Sequence, residues 1–284
     1  KCYQPAQPRQ DVEMVVLVTG ATGLLGPFVV KSLIAQHQKV RCLIHTPGKE
    51  RLFNDRSIEI RYGDILDKDS LIEASYGVDT VVHLANYNSF GHHQHEFDSV
   101  PDYNLVGTAN LIEVFKNQQS FNHLILVSTL RSSRDPKSGL MYHKWHNEEQ
   151  IINSGIPYTI LRSSILFGEF DSFVNSIAAT IRLSPIIPVW GSGHNRLQPI
   201  AAEDLAKCIS LTLNRTDLKG RRLDLGGPQH ISYNKVVELV CEYMGKHRLL
   251  LHLPTWIIKP ILLTLNFLSN GPTNHLEKLN LRTD

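Results

Sequence analysis

The chain lacks runs of like charge, closely spaced cysteines and any long apolar stretch free of proline and charge. Each absence removes a class of function. Lysine and arginine outnumber aspartate and glutamate by 29 to 27, so the basic stripe of a nucleic-acid binder is missing. The four cysteines, Cys2, Cys42, Cys208 and Cys241, form no CxxC pair, which argues against a thiolate metal centre or a redox pair. Sparse, scattered cysteine suits a reducing compartment, and Cys42 lies in an apolar run that reads as a buried strand. No signal peptide is legible. Residues 1–12 are polar, rich in Pro and Gln, and read as a flexible leader. The most apolar stretch, Leu249–Leu268, is interrupted by His252, Pro254, Lys259 and Pro260, which makes a poor spanning helix. It is expected to pack against the fold or to dock on a protein complex or a membrane surface. The expected location is cytoplasmic, with a place at the periphery of a membrane complex as the alternative.

What remains is an ordinary globular composition, 42% apolar and 20% charged over 284 residues, with ample material for a core. Short apolar runs at Val15–Thr19, Val40–Ile44, Ile58–Tyr62, Thr80–Leu84, Leu124–Val127 and Tyr158–Leu161 alternate with helical patterns. The helical patterns cover Leu24–His37, Ser70–Tyr76, Asn104–Lys116 and Lys144–Asn153. Buried strands alternating with helices predict an α/β fold, a doubly wound Rossmann-type parallel sheet covered on both faces. After Gly168 the rhythm changes. Helical segments at Phe173–Arg182, Glu203–Leu213 and Tyr233–Met244 alternate with short extended pieces. The expected division is therefore a dinucleotide-binding domain over 13–168 and a smaller, mostly helical region over 169–284. That second region is expected to close the cleft and to be partly interleaved with the sheet.

The sharpest motif is Thr19-Gly20-Ala21-Thr22-Gly23-Leu24-Leu25-Gly26, which follows a strand and opens a helix. That context gives a glycine triplet meaning. Gly20 permits the tight turn, Gly23 lets the backbone approach a pyrophosphate, and Gly26 lets helix and strand pack closely. The helix N-terminus offers amide groups and the positive end of a dipole to the phosphates. Thr22, Leu24 and Leu25 belong to the same turn. The plain alternative is a tight β-α turn with no ligand.

A site for NAD usually carries an acid at the end of the second strand to hold the ribose 2′-hydroxyl. Here the stretch reads Arg41-Cys42-Leu43-Ile44-His45-Thr46. His45, Lys49 and Arg51 stand where a 2′-phosphate would sit, and cations form charge-assisted bonds to phosphate. NADP(H) is the expected cofactor, with NAD(H) as the alternative.

The G-x-x-G-x-x-G spacing resembles that of the extended and atypical short-chain dehydrogenase/reductase superfamily, and the similarity runs along nearly the whole chain. Gly63-Asp64-Ile65, His83-Leu84-Ala85, Asn104 with Gly107-Thr108, and Lys144 to Glu148 fit it. So do Ser154-Gly155-Ile156-Pro157-Tyr158-Thr159-Ile160-Leu161-Arg162, Gln198-Pro199-Ile200, Glu203-Asp204-Leu205-Ala206 and Leu225-Gly226-Gly227-Pro228. The pattern is most similar to the atypical branch named after the Rossmann accessory subunit of respiratory complex I, with NmrA-like regulators and photosystem-assembly proteins as related patterns. The resemblance implies that Asp64 and Ile65 lie by the adenine and that Leu84 and Ala85 flank the ribose and pyrophosphate. Asn86, Asn104, Ser128, Lys144 and Ser163 complete the candidate cofactor set.

Reductases of that superfamily use a Tyr-x-x-x-Lys pair, because residues four apart share a helix face. The lysine holds the nicotinamide ribose and lowers the tyrosine pKa, and the tyrosine exchanges a proton with the substrate. Lys144 matches the lysine. Four residues earlier stands Leu140, which has no ionisable group. Tyr142, only two residues from Lys144, is expected on the opposite side of a regular helix. It remains a catalytic candidate beside Lys144, paired in one version with His146. Ser163 replaces the proline usual after the sixth strand.

His92, His93 and His95 share a loop with one nearby acid, Glu96. That is a weak metal signal, and no metal is expected. Two readings follow. In the first, the protein binds a dinucleotide with little or no reductase activity and serves as a sensor, an assembly factor or a subunit of a complex. In the second, it is an active NADP-dependent oxidoreductase or epimerase. Turnover of bound NADPH separates them.

Overall fold

The computed structural model describes residues 14–85, 103–135, 140–169, 171–254 and 256. Its first half alternates strands and helices as the apolar pattern requires. The order is β1 (Val15–Thr19), α1 (Gly26–Ala35), β2 (Lys39–Ile44), β3 (Glu59–Tyr62), α2 (Lys68–Ser75) and β4 (Thr80–His83). Then come α3 (Tyr103–Lys116), β5 (His123–Thr129), α4 (Leu140–Ser154) and β6 (Tyr158–Ser163). The second half contains β7 (Leu166–Phe167), α5 (Phe173–Leu183), β8 (Ile186–Trp190), β9 (Arg196–Leu197) and β10 (Ile200–Ala201). It continues through α6 (Ala202–Thr212), β11 (Arg221–Leu225), β12 (Ile231–Ser232), α7 (Tyr233–Tyr243) and β13 (Leu249–Leu253).

Seven strands form one parallel sheet in the order β11-β6-β5-β4-β1-β2-β3. The order reverses between β1 and β4, and the crevice beyond their C-terminal ends is where doubly wound sheets bind ligands. Strand alternation divides the core. Val16 and Val18 of β1 join Val29, Val30 and Leu33 of α1 and Leu205, Ala206 and Ile209 of α6. Leu17, on the other face, joins Leu71 of α2, Leu111 and Phe115 of α3 and Ile151 of α4. Asp67 caps α2, its carboxylate accepting the Asp69 amide at 3.2 Å and satisfying a helix-end donor.

The second half returns to this sheet. Strand β11 extends its edge beside β6, and α6 covers the face shared with α1. A separate small core holds Ile177 and Ile181 of α5, Ile187 of β8, and Val236, Val237 and Cys241 of α7. The stretch from Leu249 begins as strand β13, paired in parallel with β8 from Leu249↔Ile186 to Leu253↔Trp190. Apart from Trp256, residues 255–268 lie outside the described residues, as does the leader over 1–12. Among the described residues no helix is long and apolar enough to cross a membrane.

Candidate dinucleotide site

The glycine turn sits at the switch point. Gly20 has φ +72°, and a Cβ there would lie 2.5 Å from the Ala85 amide nitrogen. The turn therefore tolerates no side chain at Gly20 and is wedged against the residues that follow β4. A Cβ on Gly26 would lie 2.0 Å from the Ala21 carbonyl oxygen, so α1 starts in direct contact with the turn. Gly23 differs. Among the described residues a Cβ there would meet only the Gly20 carbonyl oxygen, at 3.3 Å. The first turn of α1 carries a proline, and its N-cap residue, Leu25, makes no side-chain cap. An open glycine beside uncapped amides is a cradle that fits a pyrophosphate.

A buried histidine fixes the cradle's position. His83, at the end of β4, is 1% exposed. Its Nδ1 lies 2.7 Å from Thr19 Oγ1 and its Nε2 lies 3.3 Å from Thr108 Oγ1 of α3. One imidazole thus links β1, β4 and α3 at the ends that flank the crevice, and the Leu84 amide donates to the Thr19 carbonyl at 3.0 Å. Burial, followed by the Lys144 charge, holds the His83 pKa down to about 3. The ring is neutral at pH 7 and bonds both threonines. The same effect places the Lys144 ammonium within electrostatic reach of the β4 end.

At the C-terminal ends of β2 and β3, the Gly63 amide donates to the Ile44 carbonyl at 3.1 Å and brings the two strand ends together. Asp64 Oδ2 lies 3.2 Å from His45 Nε2, while its Oδ1 accepts the Leu66 amide at 3.0 Å. The sequence after Ile44 has no acid, but the fold carries one across from the next strand. Ile65 packs so tightly on α3 that a Cβ on Gly107 would come within 2.5 Å of it. Lys49 and Arg51 are exposed on a short 3-10 turn, Lys49–Leu52, with Glu50 between them accepting the Gly48 amide at 2.6 Å.

At the opposite end, Ser128 is buried and its hydroxyl donates to Glu148 Oε1 at 2.5 Å. Glu148 is wholly buried and meets the Arg162 guanidinium, with Nη2 to Oε2 at 2.6 Å and Nε at 3.1 Å. The bond to Glu148 comes first among the causes that raise the Arg162 pKa. Ser163 donates to the Ser128 carbonyl at 3.2 Å. Ser128 and Ser163 therefore belong to one polar cluster that joins β5, β6 and α4. Asn104 is buried on α3. Sequence reading singled out neither the His83–threonine link nor the Glu148–Arg162 pair. Their only signal was charged or polar residues inside apolar runs.

Helix α4 begins at Leu140, so Leu140 stands one turn before Lys144. The Tyr142 ring meets His146 edge-on at 4.5 Å and stacks on Trp145 at 6.3 Å. Arg134 lies 5.9 Å from the Trp145 ring centre. Tyr142 is thus part of an aromatic cluster, while Lys144 exerts its charge on His83. Asn86, Tyr87, His92, His93 and His95 lie outside the described residues. Among the described residues no three potential ligands gather to hold a metal.

The sequence profile of the NAD dependent epimerase/dehydratase family matches residues 16–226. The chain belongs to that family. Among curated relatives, the mitochondrial NADH dehydrogenase [ubiquinone] 1 alpha subcomplex subunit 9 of Dictyostelium discoideum is 26% identical over 82% of this chain, which spans 65% of that protein's length. The photosystem II assembly factor Ycf39 of Trieres chinensis is 22% identical over 87% of this chain and 74% of its own length. Among solved structures, a dTDP-glucose 4,6-dehydratase of Bacillus anthracis in complex with NAD superposes with a TM-score of 0.71. It is 18% identical, and the match covers 85% of this chain and 84% of that one, so it speaks for the fold alone. The expected family and the Rossmann-type α/β architecture both hold.

Proposed function

We propose that this protein binds NADP(H) in the Gly20–Gly26 cradle and serves as a cofactor-dependent subunit or assembly factor of a larger complex, with little or no reductase turnover. The observation that carries the reading is on α4. Lys144 matches the ribose-binding lysine of the family pair, but Leu140, one turn earlier on the helix, has no ionisable group where that pair has its tyrosine, and the Tyr142 ring packs against Trp145 and His146. The bound nicotinamide would supply hydride chemistry. The chain itself supplies binding groups and lacks the usual proton donor. General acid–base help is worth about 10²–10⁴-fold in rate, so its loss leaves binding intact and chemistry slow.

Within that reading each candidate has a role. Gly20, Thr22, Gly23, Leu24, Leu25 and Gly26 hold the pyrophosphate. Asp64 and Ile65 bound the adenine, and Leu84, Ala85, Asn86 and Asn104 line the ribose side. Lys144 holds the nicotinamide ribose, with Ser128 and Ser163 bracing that end from behind. His45, Lys49 and Arg51 favour a 2′-phosphate, against the opposing pull of Asp64. The role in an assembly draws on the two relatives, one a complex subunit and the other an assembly factor by name. Its place would be at the periphery of a membrane complex.

The second reading, an active oxidoreductase or epimerase, draws on the retained Lys144 and glycine turn. Single-turnover oxidation of bound NADPH by a panel of carbonyl compounds decides between them. Slow turnover, unchanged in Tyr142→Phe, fits the first reading. Fast turnover lost in Tyr142→Phe establishes the second.

A further inference from the structure

Strands β8 and β13 make a two-stranded parallel sheet with one side left bare among the described residues. Their register places Leu250 opposite Ile187 on the inner face and His252 opposite Val189 at its exposed margin. Ile187 and Leu250 pack there against α5 and α7, and His252 Nε2 lies 3.2 Å from Asn234 Oδ1 of α7. The outer face pairs Leu249 with Ile186, Leu251 with Pro188, and Leu253 with Trp190. All six side chains are apolar. Leu249 is 64% exposed, Leu251 45%, Ile186 42% and Trp190 40%. Parallel strands are ordinarily covered on both faces, and a contiguous apolar patch of this kind marks an interaction site.

The rim identifies the occupant. Both strands start at the same end, where the Leu249 amide donates to the Pro185 carbonyl at 3.1 Å. The last turn of α5 and the connections that feed this end, residues 182–185 and 244–248, carry Arg182, Lys246, His247 and Arg248 and no carboxylate. Glu242, in the last turn of α7, is the nearest acid along either connection. The far end carries Trp190, with Trp256 exposed just beyond the strand. Apolar bulk, a cationic rim and tryptophan at the margin together match an anionic bilayer surface. A second copy fits less well. Five exposed side chains and the partly buried Leu253 offer on the order of 400 Å², about half of the roughly 800 Å² per partner that a stable interface needs. The cationic rims would also add like charge to such a pair.

We infer that the outer face of the β8–β13 sheet docks on an anionic lipid surface, without insertion of a spanning segment. The inference deepens the placement beside a membrane complex and rests on that placement alone, independently of the dinucleotide reading.

The test is co-sedimentation of the full chain, without nucleotide, with phosphatidylcholine vesicles that contain or lack phosphatidylserine. Binding is expected only with phosphatidylserine. It should weaken about fivefold in Lys246→Ala, the usual worth of one cation near such a surface, and disappear in Leu251→Glu. Leu251 is exposed, so Leu251→Glu should keep the wild-type melting temperature and any melting shift with NADPH. Four results overturn the inference: no sedimentation with either vesicle, undiminished binding by Leu251→Glu, a wild-type dimer that Leu251→Glu dissociates, or a clearly lowered melting temperature in Leu251→Glu. The last result would mean that the chain covers this face itself. A melting shift with NADPH that survives any of these leaves the dinucleotide reading standing.

Discussion

Lowering the pH towards 5 should destabilise this protein through two buried histidines. His83 is held at about 3 by burial and the Lys144 charge. His123 is held at about 4 by burial and the Lys219 charge, with its Nε2 2.8 Å from Thr159 Oγ1. Both folded values lie below the unfolded value near 6.5. Between those limits the unfolded chain binds more protons, so stability is full above about pH 6.5 and falls as the pH drops towards 3 or 4. At pH 5 each histidine removes about 2 kcal/mol relative to neutral-to-alkaline solution, and the two together remove about 4 kcal/mol. That is a large share of the 5–15 kcal/mol typical of a domain. Urea titrations at pH 8, 6.5, 5.5 and 5 measure the slope. His83→Asn should be less stable at pH 8 because it loses the contact with Thr108. Its slope between pH 6 and 5 should nevertheless fall by about one proton, or about 1.4 kcal/mol per pH unit. An unchanged slope would refute a neutral, buried His83, and with it the account of what holds β1, β4 and α3 together at the crevice.

The other variants separate fold from site. Glu148→Gln leaves the Arg162 guanidinium without its carboxylate and should cost about 3 kcal/mol in urea unfolding, the lower range for breaking a buried pair. Gly26→Ala sets a methyl 2.0 Å from the Ala21 carbonyl oxygen and should strongly destabilise the chain. Gly23→Val, whose Cβ would meet only one atom at 3.3 Å, should melt near the wild type but lose the shift with dinucleotide. Lys49→Glu should weaken NADPH more than NADH in a titration of both, and equal weakening would remove Lys49 from the site.

The readability of this sequence followed contact range. Val15–Thr19, the glycine turn and the following helix were legible because strand, turn and helix signals lie within one continuous stretch. Lys144 and Leu140 were legible because a helix converts a spacing of four into a shared face. The Thr19–His83 bond joins residues 64 positions apart, and the Arg162–Glu148 pair crosses from a strand to a helix. No local period reports either contact. Asp64 appeared as an adenine candidate, but its approach to His45 depends on two parallel strands ending side by side. The stretch Leu249–Leu268 read as apolar packing or a surface-docking element, with no strand assigned to its start. An apolar pentapeptide does not distinguish strand from helix, and its partner β8 lies some 60 residues earlier. The pairing that gives that sheet an inner and an outer face is visible only in three dimensions.

The central claim is that the Gly20–Gly26 turn is a working dinucleotide site whose nicotinamide end is gripped by Lys144 but short of a proton donor. Calorimetric titration of the wild type, Gly23→Val and Lys144→Ala with NADPH tests it most directly. The account predicts saturable one-to-one binding by the wild type, none by Gly23→Val, and weaker binding by Lys144→Ala. Heat traces for the wild type that stay flat with NADPH, NADP+, NADH and NAD+ alike would contradict it.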